Sequence, residues 1–254
     1  MIYGMYLSAA GVMANSHRQD VIANNLANAE TTGFKRALSM VRQRAPESRE
    51  SGRFDLSNPA LDAIGGGIFL SPTQVDHSQG ALESYDSPLS LAITGKGYFA
   101  VRDGDRLRLT RNGNFTLGAR GELVMSDGTG RKVLDVRQRP IRIDVNELKQ
   151  IAVGDDGTIT KNGEFIAQIG VFDVPDQRQL VPAGGTLMAV DEAAIARVIN
   201  PSVQSGYVEL ANVDPAIELT QLMEAQRQLE ANANMIRYQD QTLGRLVNDV
   251  GKIG

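Results

Sequence analysis

Apolar residues near the end of the chain recur in alternating steps of four and three. This spacing is typical of a long helix with one apolar stripe, as coiled coils have. The helix is predicted to begin after Asp214, which can accept hydrogen bonds from the first turn, with Pro215 at the first helical position, and to run to Val250. The stripe consists of Leu219, Leu222, Leu229, Ala233, Ile236, Leu243, Val247 and Val250, with Gln226 and Asp240 in the same line.

A weaker helical stripe occupies the first 32 residues of the chain. It is formed by Met5, Val12, Ile22, Leu26 and Ala29. Gly33 suits the left-handed position after a helix and Phe34 the apolar position that follows it, so the pattern predicts a helix end here. A single helix cannot bury its own apolar stripe, so each terminal stripe needs a partner surface. We therefore expect the two terminal helices to pair and to present their remaining faces to other molecules.

The apolar period changes from helical to two between about Val75 and Val203, which predicts an antiparallel β domain. Short helices are expected near 146–149 and 192–197. Residues 37–75 contain many breakers and are expected to form an extended connector. Turn signals that tolerate positive φ angles separate the β-rich runs, namely Asp103-Gly104, Asn112-Gly113, Asp127-Gly128, Asp156-Gly157 and Asn162-Gly163.

These patterns together predict an α+β fold. Residues 1–36 and 204–254 would form an elongated, coiled-coil-like helical domain, and residues 76–203 an inserted, antiparallel all-β domain. The chain has 254 residues, of which 42% are hydrophobic, and this is ample for packed cores.

Composition argues against nucleic acid as a partner and gives a first indication of the compartment. The formal net charge of -4 argues against nucleic acid, and the arginines between Arg36 and Arg53 are better explained as a solvated linker. There is no cysteine, no signal peptide pattern at the N-terminus and no apolar run of about 20 residues. Taken alone, these features predict a cytoplasmic protein.

The sequence offers little catalytic chemistry. His17 and His77 are the only histidines, and neither has the neighbours of a zinc site. Asp76, His77 and Ser78 are adjacent residues and therefore cannot adopt the geometry of a hydrolase triad. We expect no enzymatic activity, no cofactor and no small-molecule substrate.

Four stretches carry a resemblance to a known family. Residues 22–35, IANNLANAETTGFK, closely resemble the N-terminal signature of the bacterial flagellar rod and hook proteins. Residues 79–83 with 88–101, residues 110–116 (TRNGNFT) and residues 206–215 (GYVELANVDP) are similar to further motifs of that family, in the same order. The resemblance covers nearly the whole chain.

The resemblance implies a structural subunit that is exported through the flagellar type III apparatus without a cleaved signal. Its destination would be the rod of the basal body, which spans the periplasm, so the prediction of a cytoplasmic protein is replaced. Partners would be copies of itself, adjacent rod or hook proteins and the export apparatus. Among rod members, the proximal type is favoured over the distal type, because residues 44–70 lack a Tyr- and Pro-Gly-containing pattern.

We expect the assembly interface to involve both terminal helices. Asparagines are poor helix formers, so those in the N-terminal signature are expected to bond across helices, and polar residues in the C-terminal stripe are expected to set register. The candidate interface residues are Asn24, Asn25, Leu26, Asn28, Leu219, Leu222, Gln226, Leu229, Ile236 and Leu243.

Two rival functions remain open from sequence. A phage-tail-like or secreted adhesin module would share the β content and the oligomerisation, but it would have no need of the Asn-rich N-terminal signature. A cell-wall glycan hydrolase would need paired carboxylates, for example Asp155 and Asp156 with a distant glutamate, in a cleft that raises the pKa of one of them.

Overall fold

The structure, a computed structural model, describes residues 2–45, 67–143 and 151–250, apart from the side chains of Ile2, Asp249 and Val250. The short helix predicted near 146–149 lies outside these residues. Within them, the fold is α+β: one helix stands at each end of the chain, with a large β-rich region between. The α+β class is confirmed.

The C-terminal helix, α2, spans Pro215–Val250, as predicted. Its start is fixed by Asp214, whose carboxylate accepts the amide N–H groups of Ala216 at 2.9 Å and Ile217 at 3.3 Å. These two amides belong to the first turn and have no partner within the helix. A side chain that accepts both therefore defines the first turn.

The N-terminal helix, α1, spans Ile2–Ala27, so the predicted end at Gly33 is wrong. Asn28 begins a turn, in which its carbonyl accepts the Thr31 amide at 3.0 Å. Gly33 does adopt a positive φ of 70°, but its N–H donates to the carbonyl of Glu209 at 2.7 Å. The glycine therefore serves a long-range contact and does not cap the helix.

The chain divides into two compact units. The helical unit comprises Met1–Ala27, Ala37–Gln74 and Asp214–Gly254, and the β unit comprises Asn28–Arg36 and Val75–Val213. The division differs from the predicted bounds at 36 and 204, because the short segments that flank both helices belong to the β unit.

Two strands in the region expected to be a connector pair with each other. They are β1, Ala37–Gln43, and β2, Ile68–Val75. Beyond the strands, the amide of Arg44 donates to the carbonyl of Gly67 at 2.9 Å. At its described ends, the predicted connector therefore consists of hydrogen-bonded strands.

The remaining strands build the β unit, and every strand pair described there is antiparallel. They are β3 Leu82–Ser84, β4 Leu91–Ile93, β5 Tyr98–Asp103, β6 Arg106–Thr110, β7 Phe115–Leu117, β8 Leu123–Met125, β9 Lys132–Val133, β10 Ile151–Val153, β11 Thr158–Lys161, β12 Glu164–Gln168, β13 Val171–Asp173, β14 Val181–Pro182, β15 Leu187–Ala189, β16 Ala196–Arg197, β17 Val203–Ser205 and β18 Tyr207–Glu209.

A sheet of nine strands, counted over the described residues, forms the centre of the β unit. Its order is β14-β15-β6-β5-β9-β8-β7, with β13 pairing with both β5 and β16. Strands β10, β11 and β12 form a separate sheet, and the pairs β17-β4 and β18-β3 join late strands to early ones. The short helix predicted at 192–197 is present only as one 3-10 turn, Glu192–Ala194. It cannot extend further because strand β16 begins at Ala196.

The turn predictions are confirmed at four of five positions. Gly104, Gly128, Gly157 and Gly163 all have positive φ and lie between adjacent antiparallel strands. Asn112-Gly113 is the exception: a Cβ at Gly113 would collide with the carbonyl oxygen of Leu91. That glycine is needed for close backbone approach, and it does not form a tight hairpin turn.

The two faces of β5 supply two apolar clusters of the β unit. Phe99 and Val101 belong to a larger cluster, and Tyr98 and Ala100 to a smaller one. Alternate residues of a strand face opposite sides, so a strand buried on both faces divides the core in this way. Phe99 is fully buried and packs edge-to-face on Phe115, with ring centroids 5.2 Å apart.

We expect the Phe99→Ala variant to lose about 3–5 kcal/mol of unfolding free energy, because truncating a buried aromatic residue leaves a cavity. Phe165→Ala is the matched control: Phe165 lies in the same unit but is 65% exposed, and its truncation should cost less than about 0.5 kcal/mol. Urea denaturation followed by tyrosine near-UV circular dichroism measures both. Equal losses in the two variants would contradict this description of the core.

Candidate assembly surface and the Glu209 junction

Helices α1 and α2 pack against each other in antiparallel register. A Cβ built on Gly4 would lie 2.8 Å from Nε2 of Gln239, and one built on Gly11 would lie 2.7 Å from Nδ2 of Asn232. A step of seven residues along α1 thus corresponds to a step of seven residues back along α2. The same correspondence holds fourteen residues further on: the side-chain amide of Asn25 donates to the Glu218 carboxylate at 3.2 Å. The register is therefore constant along the pair.

The less exposed residues of α2 follow a stripe in steps of four and three, but this stripe differs from the predicted one. It is formed by Glu218, Leu222, Ala225, Leu229, Asn232, Ile236, Gln239 and Leu243, and the neighbouring Gln221 and Ala233 are half-buried as well. Leu222, Leu229, Ile236 and Leu243 belong to both stripes. In the other four layers up to Leu243, the observed stripe passes through the residue immediately before the predicted one. Glu218 and Ala225 are almost completely buried, at 1% and 0% exposure.

Three of the four predicted positions in these layers point outward, and the fourth, Ala233, is half-buried. Leu219 is 49% exposed, and Gln226 and Asp240 are exposed. The Gln226 amide donates to Glu230 on its own helix at 3.2 Å. The prediction that Leu219, Gln226 and Asp240 lie in the seam between the two helices is therefore wrong. The prediction followed apolar residues, whereas every second layer of the actual seam has a polar or small residue.

The first half of α1 contributes small and polar residues to the seam. Ser8 and Ala14 are buried, and Gly4 and Gly11 approach α2 closely. Further along α1, Val21, Asn25 and the predicted Ile22 are buried. A glycine inside a helix costs about 1 kcal/mol relative to alanine. Two glycines seven residues apart on a helix were therefore the available signal for close packing. The predicted Met5 and Val12 are half-buried.

The asparagines of the N-terminal signature occupy different environments. Asn25 is 1% exposed, and besides reaching Glu218 it exchanges two 2.9 Å hydrogen bonds with the backbone of Ala37. Asn24 is exposed, and Leu26 and Asn28 are half-buried. Asn25 thus organises the helical unit itself.

Large apolar side chains remain exposed on both helices. On α1 they are Tyr3, Tyr6 and Met13, and on α2 they are Ile217, Leu219, Met223, Met235, Tyr238, Leu246 and Val247. We call these ten residues the outer apolar set. Val247 is 71% exposed and both Met13 and Tyr238 are 65% exposed. Exposed apolar surface of this extent is typical of interaction sites.

A buried carboxylate is the other notable site, and it lies in the β unit. The side chain of Glu209 has no exposed surface and accepts three hydrogen bonds. Lys35 Nζ lies 2.5 Å from Oε1, a guanidinium nitrogen of Arg111 lies 3.1 Å from Oε2, and the Gly80 amide donates to Oε1 at 3.0 Å. Burial is the largest influence on Lys35 and lowers its pKa, partly offset by Glu209.

The Glu209 junction brings together the four stretches that resemble the rod and hook family. Lys35 comes from the first stretch, Gly80 from the second, Arg111 from the third and Glu209 from the fourth. The backbone of Arg36 also donates to the Asn212 side chain at 2.7 Å. The two segments that continue in sequence into the helical unit are thus fastened to each other. Sequence reasoning missed this site because its members are up to 174 residues apart.

Arg111 extends the junction to an aromatic pair. Its guanidinium lies 5.1 Å from the ring centroid of Tyr98, whose hydroxyl is 2.7 Å from Nδ1 of His77. Burial raises the pKa of Tyr98 to about 12. Burial, aided by the nearby Lys35 charge, lowers the pKa of His77. A neutral His77 that accepts the tyrosine O–H is the arrangement these shifts favour.

Neither site resembles a catalytic centre. Over residues 2–45, 67–143 and 151–250, no group of three or more His, Cys, Asp or Glu side chains could hold a metal ion. None of the helices in the described part of the chain is long and apolar enough to cross a membrane.

We expect Glu209→Gln to destabilise the β unit by about 3–5 kcal/mol, because it leaves two buried cations facing an uncharged amide. Glu83→Gln is the control: Glu83 is exposed on the neighbouring strand β3 and should change the unfolding free energy by less than about 0.5 kcal/mol. Urea denaturation of both variants tests the junction. A Glu209→Gln variant as stable as the native chain would refute the importance of this carboxylate.

The lowered pKa of His77 predicts a pH dependence. The unfolded chain takes up the proton near pH 6.5, above the pKa of the folded state, so folding should weaken as pH falls through that interval and level off below it. The slope is at most about 1.4 kcal/mol per pH unit for one group. Denaturation of the β unit between pH 8 and 5 should show this slope in the native chain and in His17→Gln, but not in His77→Gln. An unchanged slope in His77→Gln would show that another group causes the pH dependence.

Three family models match the chain. The flagella basal body rod protein model matches residues 5–35, the flagellar hook protein FlgE/F/G D1 domain model matches residues 92–161, and the flagellar basal body rod FlgEFG C-terminal model matches residues 204–249. The first and third cover most of α1 and α2, and the second lies within the β unit. The matches therefore include both terminal helices and part of the β unit.

Full-length relatives agree with these models. The flagellar basal-body rod protein FlgF of Caulobacter vibrioides is 31% identical, over 98% of both chains. FlgG of Bacillus subtilis, also a flagellar basal-body rod protein, is 30% identical over 98% of this chain and 99% of its own. The hook-basal body complex protein FlhO of Bacillus subtilis is 28% identical over the full length of both. These relatives are structural proteins and not enzymes, and this chain belongs to the FlgF/FlgG-type family of bacterial flagellar basal-body rod proteins.

Proposed function

We propose that this chain is a rod subunit that polymerises through its terminal helices and transmits torque from the motor to the hook. The observation that carries the proposal is the outer apolar set, which the pairing of α1 with α2 leaves exposed. Each large apolar side chain contributes roughly 1.5–3 kcal/mol when it is fully buried. Burying several such residues per subunit offers ample free energy for association.

The helix pair is a coiled-coil-like assembly element. The four-and-three spacing on α2 and the matching seven-residue steps between α1 and α2 support this assignment. Gly4 and Gly11 face the longer side chains of Gln239 and Asn232, so each layer has a distinct shape. A slip of the helices by one residue would place these side chains against bulkier neighbours. The seam thus specifies one register.

The ten candidate interface residues divide into two roles in this proposal. Leu219, Gln226 and Asn24 point outward and would contact neighbouring subunits directly. Leu222, Leu229, Ile236, Leu243 and Asn25 support the helix pair from within, and Leu26 and Asn28 lie at its end. Contacts between unlike surfaces of identical subunits do not close into a ring unless the geometry allows it, so they can extend into a helical filament.

The Glu209 junction would carry load within each subunit. It fastens Lys35 and Arg36, which precede the helical unit's middle segment, to Glu209 and Asn212, which precede α2. The chain passes between the two units at four points, and the junction lies beside two of them, after Arg36 and before Asp214. Torque applied to the helices would reach the β unit through these passages. Because the two segments at the junction are bonded to each other, neither would be pulled out independently.

Location and partners follow from the same proposal. The subunit would be exported by the flagellar type III apparatus without a cleaved signal and assembled in the periplasm next to other rod or hook proteins. We favour the proximal rod, because residues 44–70 contain neither tyrosine nor a Pro-Gly pair. Relatives of both the FlgF and FlgG types support the rod as the destination.

We expect Leu219→Asp with Val247→Asp to abolish rod assembly and motility without unfolding the chain, because both side chains are exposed before assembly. Gln241→Asp places one such charge at another exposed position of α2 and should be tolerated, and each single variant, Leu219→Asp or Val247→Asp, matches it in charge. Motility in soft agar and electron microscopy of basal bodies measure assembly, and circular dichroism of the purified chains checks folding. Normal rods in the double variant would sink the proposal.

A further inference from the structure

A cleft in the β unit, remote in sequence from both helices, is lined by three arginines. It has a volume of about 390 Å³ and lies between the loop Asp135–Arg139, strand β12 and Arg197 of β16. Arg137, Arg139 and Arg197 are all exposed. We call it the arginine cleft. Its charge contrasts with the net charge of -4 of the chain as a whole.

The single carboxylate lining the cleft is already engaged. Asp135 accepts the backbone N–H groups of Arg137 at 2.7 Å and of Arg139 at 2.8 Å, and it pairs with the Arg139 guanidinium at 3.1 Å. Asp135 is 9% exposed, so it faces the loop more than the solvent. The cleft therefore has a positive excess carried by Arg137 and Arg197.

An aromatic ring adds an apolar wall to this charge. In strand β12, Ile166 packs against the larger core cluster, and the alternation of strand side chains leaves Phe165 facing outward. Phe165 is 65% exposed and lines the cleft. Exposed aromatic residues next to arginines are the composition of protein-protein hot spots.

The loop that presents the arginines is held in an unfavourable conformation. Gln138 has a φ of 60°, which residues other than glycine rarely adopt. Its carbonyl accepts a hydrogen bond from Arg102 at 3.3 Å. Such strain persists where surrounding contacts over-determine it, and it is found preferentially at functional sites. Because the loop is pre-ordered by Asp135, less conformational entropy is lost on binding.

We propose that the arginine cleft binds an acidic segment of a partner protein, with carboxylates on Arg137 and Arg197 and an apolar side chain against Phe165. Arginine forks match carboxylates with two parallel hydrogen bonds, which favours Asp and Glu side chains. This interaction is independent of the terminal helices. A rod subunit could therefore contact a second protein through its β unit while its helices engage other subunits.

The test measures binding of a fluorescein-labelled octaglutamate peptide to the full chain by fluorescence anisotropy in 0.15 M salt. We expect Arg137→Gln with Arg197→Gln to weaken binding at least tenfold. Phe165→Ala should weaken binding about threefold for the same peptide with one glutamate replaced by leucine, and should leave the affinity for octaglutamate within twofold, because octaglutamate has no apolar side chain. Arg106→Gln with Arg120→Gln removes the same charge from exposed positions elsewhere in the β unit and should leave affinity within twofold. Urea denaturation confirms that each variant is folded.

Three results would overturn the proposal. The first is equal binding by the two double variants, which would show a diffuse electrostatic effect. The second is tight binding of heparin with no binding of octaglutamate, which would indicate a polysaccharide ligand. The third is self-association in sedimentation experiments that disappears in Arg137→Gln with Arg197→Gln, which would assign the cleft to a second copy of the chain.

Discussion

The close packing of α1 against α2 at Gly4 and Gly11 is the constraint on which the helical unit depends. With no side chain on α1 at these layers, Gln239 and Asn232 can lie directly against the helix. The seam is consequently narrow and partly polar. The ten residues of the outer apolar set are left exposed, and in the proposed function the free energy of their burial is available for contacts between subunits.

The β unit depends on the opposite device, a buried charge. Glu209 is isolated from water, so its two cationic partners and one amide donor must all be in place at once. Such an arrangement tolerates little distortion, since moving one partner leaves another charge unpaired. In the proposed function, this rigidity lies where two chain segments cross and carries load. The helical seam would then serve assembly, and the Glu209 junction would provide internal stiffness.

Local signals in the sequence predicted the elements well, and long-range contacts explain where the predictions failed. Asp214 and Pro215 gave the start of α2 correctly, because a helix cap acts within one turn. The seam was displaced because two stripes share Leu222 and Leu229 and differ by one residue in the alternate layers. Polar or small residues such as Glu218 and Ala225 are not chosen by an apolar pattern, although they are the most buried residues of α2.

Two further differences have the same origin. Gly33 has the positive φ expected of a residue after a helix, but the carbonyl it contacts belongs to Glu209, far along the chain. Gly113 resembles a turn residue in sequence, yet the carbonyl of Leu91 is what excludes a side chain there. Family resemblance identified both segments as important without indicating that the segments around Gly33 and Glu209 meet. Only the folded chain shows that the recognised motifs surround one carboxylate.

Cross-linking in assembled rods tests the central claim most directly, because the chain has no cysteine of its own. Met13→Cys with Val247→Cys places thiols on the exposed faces of both helices, and Gly11→Cys with Asn232→Cys places them inside the seam. With a flexible bismaleimide, the first pair should give a ladder of covalent oligomers from isolated basal bodies, whereas oxidation of the second should give only monomers with an internal disulfide. Monomers from the first pair, in rods that have assembled normally, would contradict assembly through the outer faces of the terminal helices.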